Sequence, residues 1–192
     1  MSTRLTDPNQ VRLTGENSFI TLHADESESS AATFKASHWR ILYSLAGSGH
    51  ALFLKGNLTG DKAKVYADNE KLARWLQKET KQVGSDENDP VIPAHFTRVG
   101  DTTSAWKEMV TSKEEIVVLT WRDLVEPFIF RSGAGERPGI VHGVYSLFVP
   151  ARSADVTLNG KRAAGKVIAQ KIDDKTSSSA CLALSETWVK PY

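Results

Sequence analysis

After residue 90 the chain is written almost entirely in period two, and this pattern limits most strongly what it can fold into. Segments 94–99, 103–110, 115–122, 125–131 and 140–149 have strand length and are rich in β-branched and aromatic residues. Short turns part most of them. Asn159-Gly160 lies between two further extended runs, 155–158 and 161–169. Both central residues of a tight hairpin turn need positive φ, which this dipeptide accepts. A polar stretch, 173–179, leads to a last strand at 180–189. Upstream, 17–23 sets Phe19, Thr21 and His23 on one face and Ile20 and Leu22 on the other. Apolar runs at 38–46 and 50–55 flank Gly47-Ser48-Gly49 and read as a hairpin, followed by a short strand at 62–67. Residues 1–16 read as a peripheral lead-in, and 25–32 as an acidic, serine-rich loop.

One helix is expected, at 69–82. Asp68 or Asn69 caps it, and Glu70 stands in the first turn, where the positive helix end favours an acid. Leu72, Trp75, Leu76 and Val83 share a side, and Gly84 ends the helix. Lys71, Arg74, Lys78 and Lys81 form a basic stripe, read as a solvated face, with anion docking as the sharper alternative. Many strands without strand–helix alternation argue against a doubly wound parallel sheet. An antiparallel sheet of roughly ten strands curls and closes. The expectation is therefore one antiparallel β-barrel domain over 1–192 with the helix packed on it; a two-sheet sandwich is the alternative. In shape this resembles the lipocalins and calycins. The resemblance rests on strand number and spacing and implies a barrel around a ligand cavity.

Apolar residues make up 40% and charged residues 24%, with a net charge of +1. That balance gives no electrostatic reason to expect nucleic acid or a membrane surface as partner. The single cysteine, Cys181, sits in an apolar run, which excludes an internal disulfide and reads as packing. No motif calls for a cofactor, and no Cys/His spacing suits a structural metal. Residues 1–10 lack a signal-peptide core and no run is long enough for a bilayer, so a cytoplasmic location is expected. The Asn57-Leu58-Thr59 sequon then reads as chance. A homodimer stays open.

Candidate chemistry lies on three alternating faces: Glu126, Phe128 and Phe130; Ile140, His142, Val144, Ser146 and Phe148; and Leu182, Leu184, Glu186 and Trp188. Each sets an ionisable group among apolar ones, and such a group must reach water or find a partner. If the three faces line one cavity, His142, Glu126 and Glu186 meet a ligand there. A histidine beside desolvated carboxyls can move protons near neutral pH. The plain alternative is two acids at strand ends and a histidine bonded to a neighbour. His50, His95 and His142 with a Glu make a conceivable metal set that no spacing favours. Trp39, Tyr43, Trp106, Trp121, Tyr145 and Trp188, with Phe128, Phe130 and Arg131, offer apolar area with polar handles, suited to an amphipathic ligand. Core packing is the competing reading for each ring. The Gly-rich loop 132–139, near Arg131 and Arg137, is a candidate lid; it lacks the ending of a P-loop. Gly47-Ser48-Gly49-His50 lacks the glycines of a nucleophile elbow. The expected function is binding of a small apolar or amphipathic ligand in a barrel cavity. The alternative is a cofactor-free lyase, isomerase or hydratase using His142 with Glu126 or Glu186. A weaker third reading is an interaction subunit that docks through the basic helix stripe.

Overall fold

A computed structural model of the chain describes residues 10–27, 30–80, 82–136 and 141–190. Most of the expected lead-in, together with Lys81, Arg137 and Ile140, lies outside the described residues. The strands are β1 (Val11–His23), β2 (Ala32–Ser44), β3 (Gly49–Gly56), β4 (Lys64–Ala67), β5 (Val91–Gly100), β6 (Ala105–Ser112), β7 (Ile116–Leu124), β8 (Phe128–Ser132), β9 (Gly143–Leu158), β10 (Lys161–Arg162), β11 (Ala169–Ile172), β12 (Lys175–Ser178) and β13 (Ala180–Val189). The helix α1 (Glu70–Thr80) stands between β4 and β5.

Nine strands close a ring in the order β9, β13, β1, β2, β3, β4, β5, β6, β7 and back to β9. The barrel is mixed where the sequence suggested a purely antiparallel one, because β4 and β5 pair in parallel. The physical reason is α1: a crossover returns the chain to the end it left, and only a connection of that length permits parallel neighbours. β8 and β10 pair with β9 outside the ring path, and β11 and β12 form a separate hairpin.

β9 is one long strand where the sequence suggested two, at 140–149 and 155–158. Up to Pro150 it pairs with β13, and from Ala151 onward with β7. Proline, which lacks a ladder donor, stands at the change of partner. The run expected at 161–169 is strand over Lys161–Arg162 and again at Ala169, where β11 opens. Its turn is as anticipated, with Asn159 at φ 49° and Gly160 at φ 77°.

Inward-facing side chains fill the barrel. Ile20, Leu54, Tyr66, Val110, Trp121 and Leu182 are fully buried in one continuous cluster that draws on almost every ring strand. The anticipated interior cavity is thus a packed core, and Trp121 belongs to it rather than to a ligand. A second apolar cluster lies on the outer wall, where Trp39, Ile41, Phe53 and Val65 meet Leu72, Ala73 and Leu76 of α1. Burying each such leucine contributes about 1.5–3 kcal/mol. The Leu72 N–H donates to Asn69 Oδ1 at 3.2 Å, the expected cap. Of the basic stripe, Lys71 and Lys78 are exposed, and Arg74 donates to the carbonyls of Glu87 and Asp89. Cys181 is buried. No described helix is long and apolar enough to cross a membrane.

Candidate functional site

A pocket of about 260 Å³ opens on the outer wall, beside the C-terminal turn of α1. Val144 and Phe148 of β9 with Ala183, Glu186 and Trp188 of β13 line it from the barrel, Phe130 comes from β8, and Glu79 and Gln82 come from the helix end. His142, just before β9, completes it.

A bulge in β13 makes this arrangement. Ser185 has φ 54°, and the register with β9 shifts between Leu184 and Thr187. One extra residue reverses the alternation from there on. Leu182 and Leu184 consequently pack with the barrel core, while Trp188 packs with the outer cluster under α1. The single face expected for Leu182, Leu184, Glu186 and Trp188 is therefore split across the wall.

Glu186 is 5% exposed. The Trp188 indole N–H donates to its Oε1 at 2.7 Å. Burial pushes the Glu186 carboxyl up to about 7, against the lowering effect of hydrogen bonds from Trp188 and Ser146. His142 stacks on Trp188 with centroids 5.2 Å apart. Its Nε2 lies 3.4 Å from Glu79 Oε2. This is an electrostatic contact, because neither ring nitrogen has a hydrogen-bond partner among the described residues. Arg12 donates to Glu79 Oε1 at 3.3 Å. Phe130 and Phe148 stack face to face at 4.9 Å, and Phe19 meets Phe148 edge-on.

Of the residues singled out in the sequence, His142, Glu186, Phe130 and Trp188 meet in this pocket. Glu126 does not. It is exposed in a separate groove with Phe128, Pro150 and Arg152. Glu79 stands beside His142 in its place. Arg131 and Tyr145 lie together on the exposed side of β8 and β9, 5.9 Å apart. Tyr43 is 49% exposed near the end of β2. Trp39 is core, edge-on to Trp188 at 5.3 Å, and Trp106 packs against the interior cluster. His95 is exposed on β5 while His50 stacks on Phe96, so the conceivable three-histidine set does not assemble.

Reading the sequence missed Glu79, Phe19 and Gln82. Glu79 carried a signal: an acid in the last turn of a helix opposes the helix dipole, so another partner must hold it there. No family model, no curated protein and no solved structure matches the chain significantly.

Proposed function

We propose that the protein binds a small one-ring organic molecule in the outer pocket, with its ring among Phe130, Phe148 and Trp188 and a hydrogen-bond-donating or cationic head on Glu186 and Glu79. One observation carries this reading. Glu186 is a buried carboxyl whose hydrogen bonds come from neutral groups, and among the described residues the pocket is lined by Glu79, Glu186 and His142 with no lysine or arginine. A ligand that brings positive charge supplies the missing partner. The volume lies just under the usual range for drug-sized ligands, which suits a single ring.

Benzamidine and benzoate test the charge preference, since they share a ring and differ in the sign of the head group. By calorimetry, benzamidine binds and benzoate does not. Glu186→Gln lowers benzamidine affinity about tenfold, the loss of one charge-assisted hydrogen bond. Equal binding of both compounds, or none of either, refutes the reading.

The alternative of an acid–base enzyme at this pocket draws on the Glu186 carboxyl titrating near neutrality. Against it, His142 is held by its stack on Trp188 and faces Glu79, and Glu126 lies in a separate groove. Binding is the reading this geometry favours.

A further inference from the structure

At the end of the barrel where β1 begins and β5 turns into β6, ionisable groups from several strands gather around aromatic rings. Asp68, just beyond β4, grips His50 twice. The His50 backbone N–H donates to Oδ1 at 2.6 Å, and the ring Nδ1 lies 2.6 Å from Oδ2. A carboxylate on Nδ1 fixes the proton there and leaves Nε2 as the acceptor. The ring stacks on Phe96 at 5.0 Å and lies 6.3 Å from His38.

Two guanidiniums share this mouth. Arg40 and Arg98 both donate to Glu16, each at 3.0 Å. Arg98 also lies over the Trp106 ring and 3.5 Å from Glu108. Gly15 permits the close packing of β1 on β2, since a Cβ there would stand 2.2 Å from the Arg40 carbonyl oxygen. The site has a wet rim and a dry floor. The Arg40, Arg98 and His50 side chains keep 38%, 29% and 26% of their surface, whereas Glu108 keeps 4%. On the floor, His38 Nε2 is buried without a hydrogen-bond partner among the described residues. Buried polar atoms are ordinarily paired, so this nitrogen is open to a partner that the described residues do not supply. Burial, reinforced by His50, Arg98 and Arg40, pushes His38 down to about 3 and keeps it neutral. Burial also pushes Glu108 up to about 7, so it carries a proton part of the time at neutral pH.

We propose that the barrel mouth is an acid–base site for a small 2-oxo carboxylate, with Arg40 and Arg98 receiving the carboxylate in the place Glu16 now holds and His50 taking a proton from the carbon beside the keto group. The C–H bond breaks and its proton goes to His50 Nε2. The electron pair forms the C=C bond, and the keto oxygen takes the Glu108 proton. The enol, an imidazolium and a carboxylate result, and reversal returns the starting molecule. In D2O the carbon comes back deuterated. This site is separate from the outer pocket and does not depend on its ligand.

Pyruvate in D2O, followed by the decay of its methyl proton signal, tests the proposal on the full chain. Wild-type protein accelerates exchange over buffer, and His50→Ala or His50→Gln lowers the rate about 100-fold. Asp68→Asn, a positioning change, lowers kcat about tenfold with KM unchanged, whereas Arg40→Lys raises KM with little change in kcat. Circular dichroism shows which variants fold. Exchange of pyruvate, 2-oxobutyrate and phenylpyruvate no faster with wild type than with a folded His50 variant overturns the proposal.

Discussion

The outer pocket and the barrel mouth use the same local device in opposite company. At each, an indole N–H donates to a glutamate two residues away on the same strand: Trp188 to Glu186 at 2.7 Å, and Trp106 to Glu108 at 2.9 Å. Among the described residues Glu186 has neutral hydrogen-bond donors, while Glu108 has Arg98 at 3.5 Å. Both carboxyls nevertheless rise to about 7. Desolvation therefore outweighs an indole hydrogen bond in both places, and outweighs a guanidinium whose charge is shared with Glu16 in the second.

These shifts fix the sign of the pH dependence. An unfolded glutamate titrates near 4.5, so between that pH and about 7 the native state holds the extra protons. Stability falls as pH rises through this window, by about 3 kcal/mol per group at most. His38 acts in the other direction. Its contribution is present above about 6.5 and is lost as pH falls toward 3.

The largest expected effect separates the two regions at once. Arg98→Met leaves Glu16 and Glu108 without their shared cation and costs about 3–5 kcal/mol in urea unfolding at pH 8. The loss shrinks at pH 5, where Glu108 is protonated. A pH-independent loss breaks the comparison. Next, Glu186→Gln removes a costly buried charge and stabilises the protein at pH 8 by up to about 3 kcal/mol over wild type, with no gain at pH 4. Glu108→Gln has the same sign and the same ceiling of about 3 kcal/mol, because the carboxyl rises to about 7 with the Arg98 attraction already included. Unfolding of the two variants at pH 8 side by side checks that equality, and a gain at one site only breaks the comparison. Smallest is Arg12→Ala, about 0.5 kcal/mol, since its pair with Glu79 is partly solvated. A loss above 2 kcal/mol makes Arg12 an essential part of the outer pocket.

Strand positions were legible because alternation survives wherever one face is buried: 180–189 was read as the strand β13 forms, and Ile20 and Leu22 were separated from Phe19 and Thr21. Faces were legible only as far as the next bulge. The shift at Ser185 is invisible in Leu184-Ser185-Glu186, so Glu186 and Trp188 were assigned to the same side as Leu182. Glu126 was grouped with His142 through a pattern that says nothing about distance around a barrel. The mouth was not legible at all. Glu16 falls in the expected lead-in, Arg40, Arg98 and Glu108 are marked by nothing beyond their place in expected strands, and only ring closure turns the four toward one another. The parallel β4–β5 pair was hidden for a related reason: a short strand and a helix specify a crossover, while the pairing partner is set by tertiary packing.

The central claim is that the barrel interior is filled and that the pocket beside α1 takes a ligand. A crystal structure of the protein with benzamidine tests it most directly. The account predicts the ring against Phe130, Phe148 and Trp188, with the amidinium on Glu186. Benzamidine instead lodged among Tyr66, Leu54 and Trp121 within the barrel, or an unfilled outer pocket at saturating benzamidine, would contradict it.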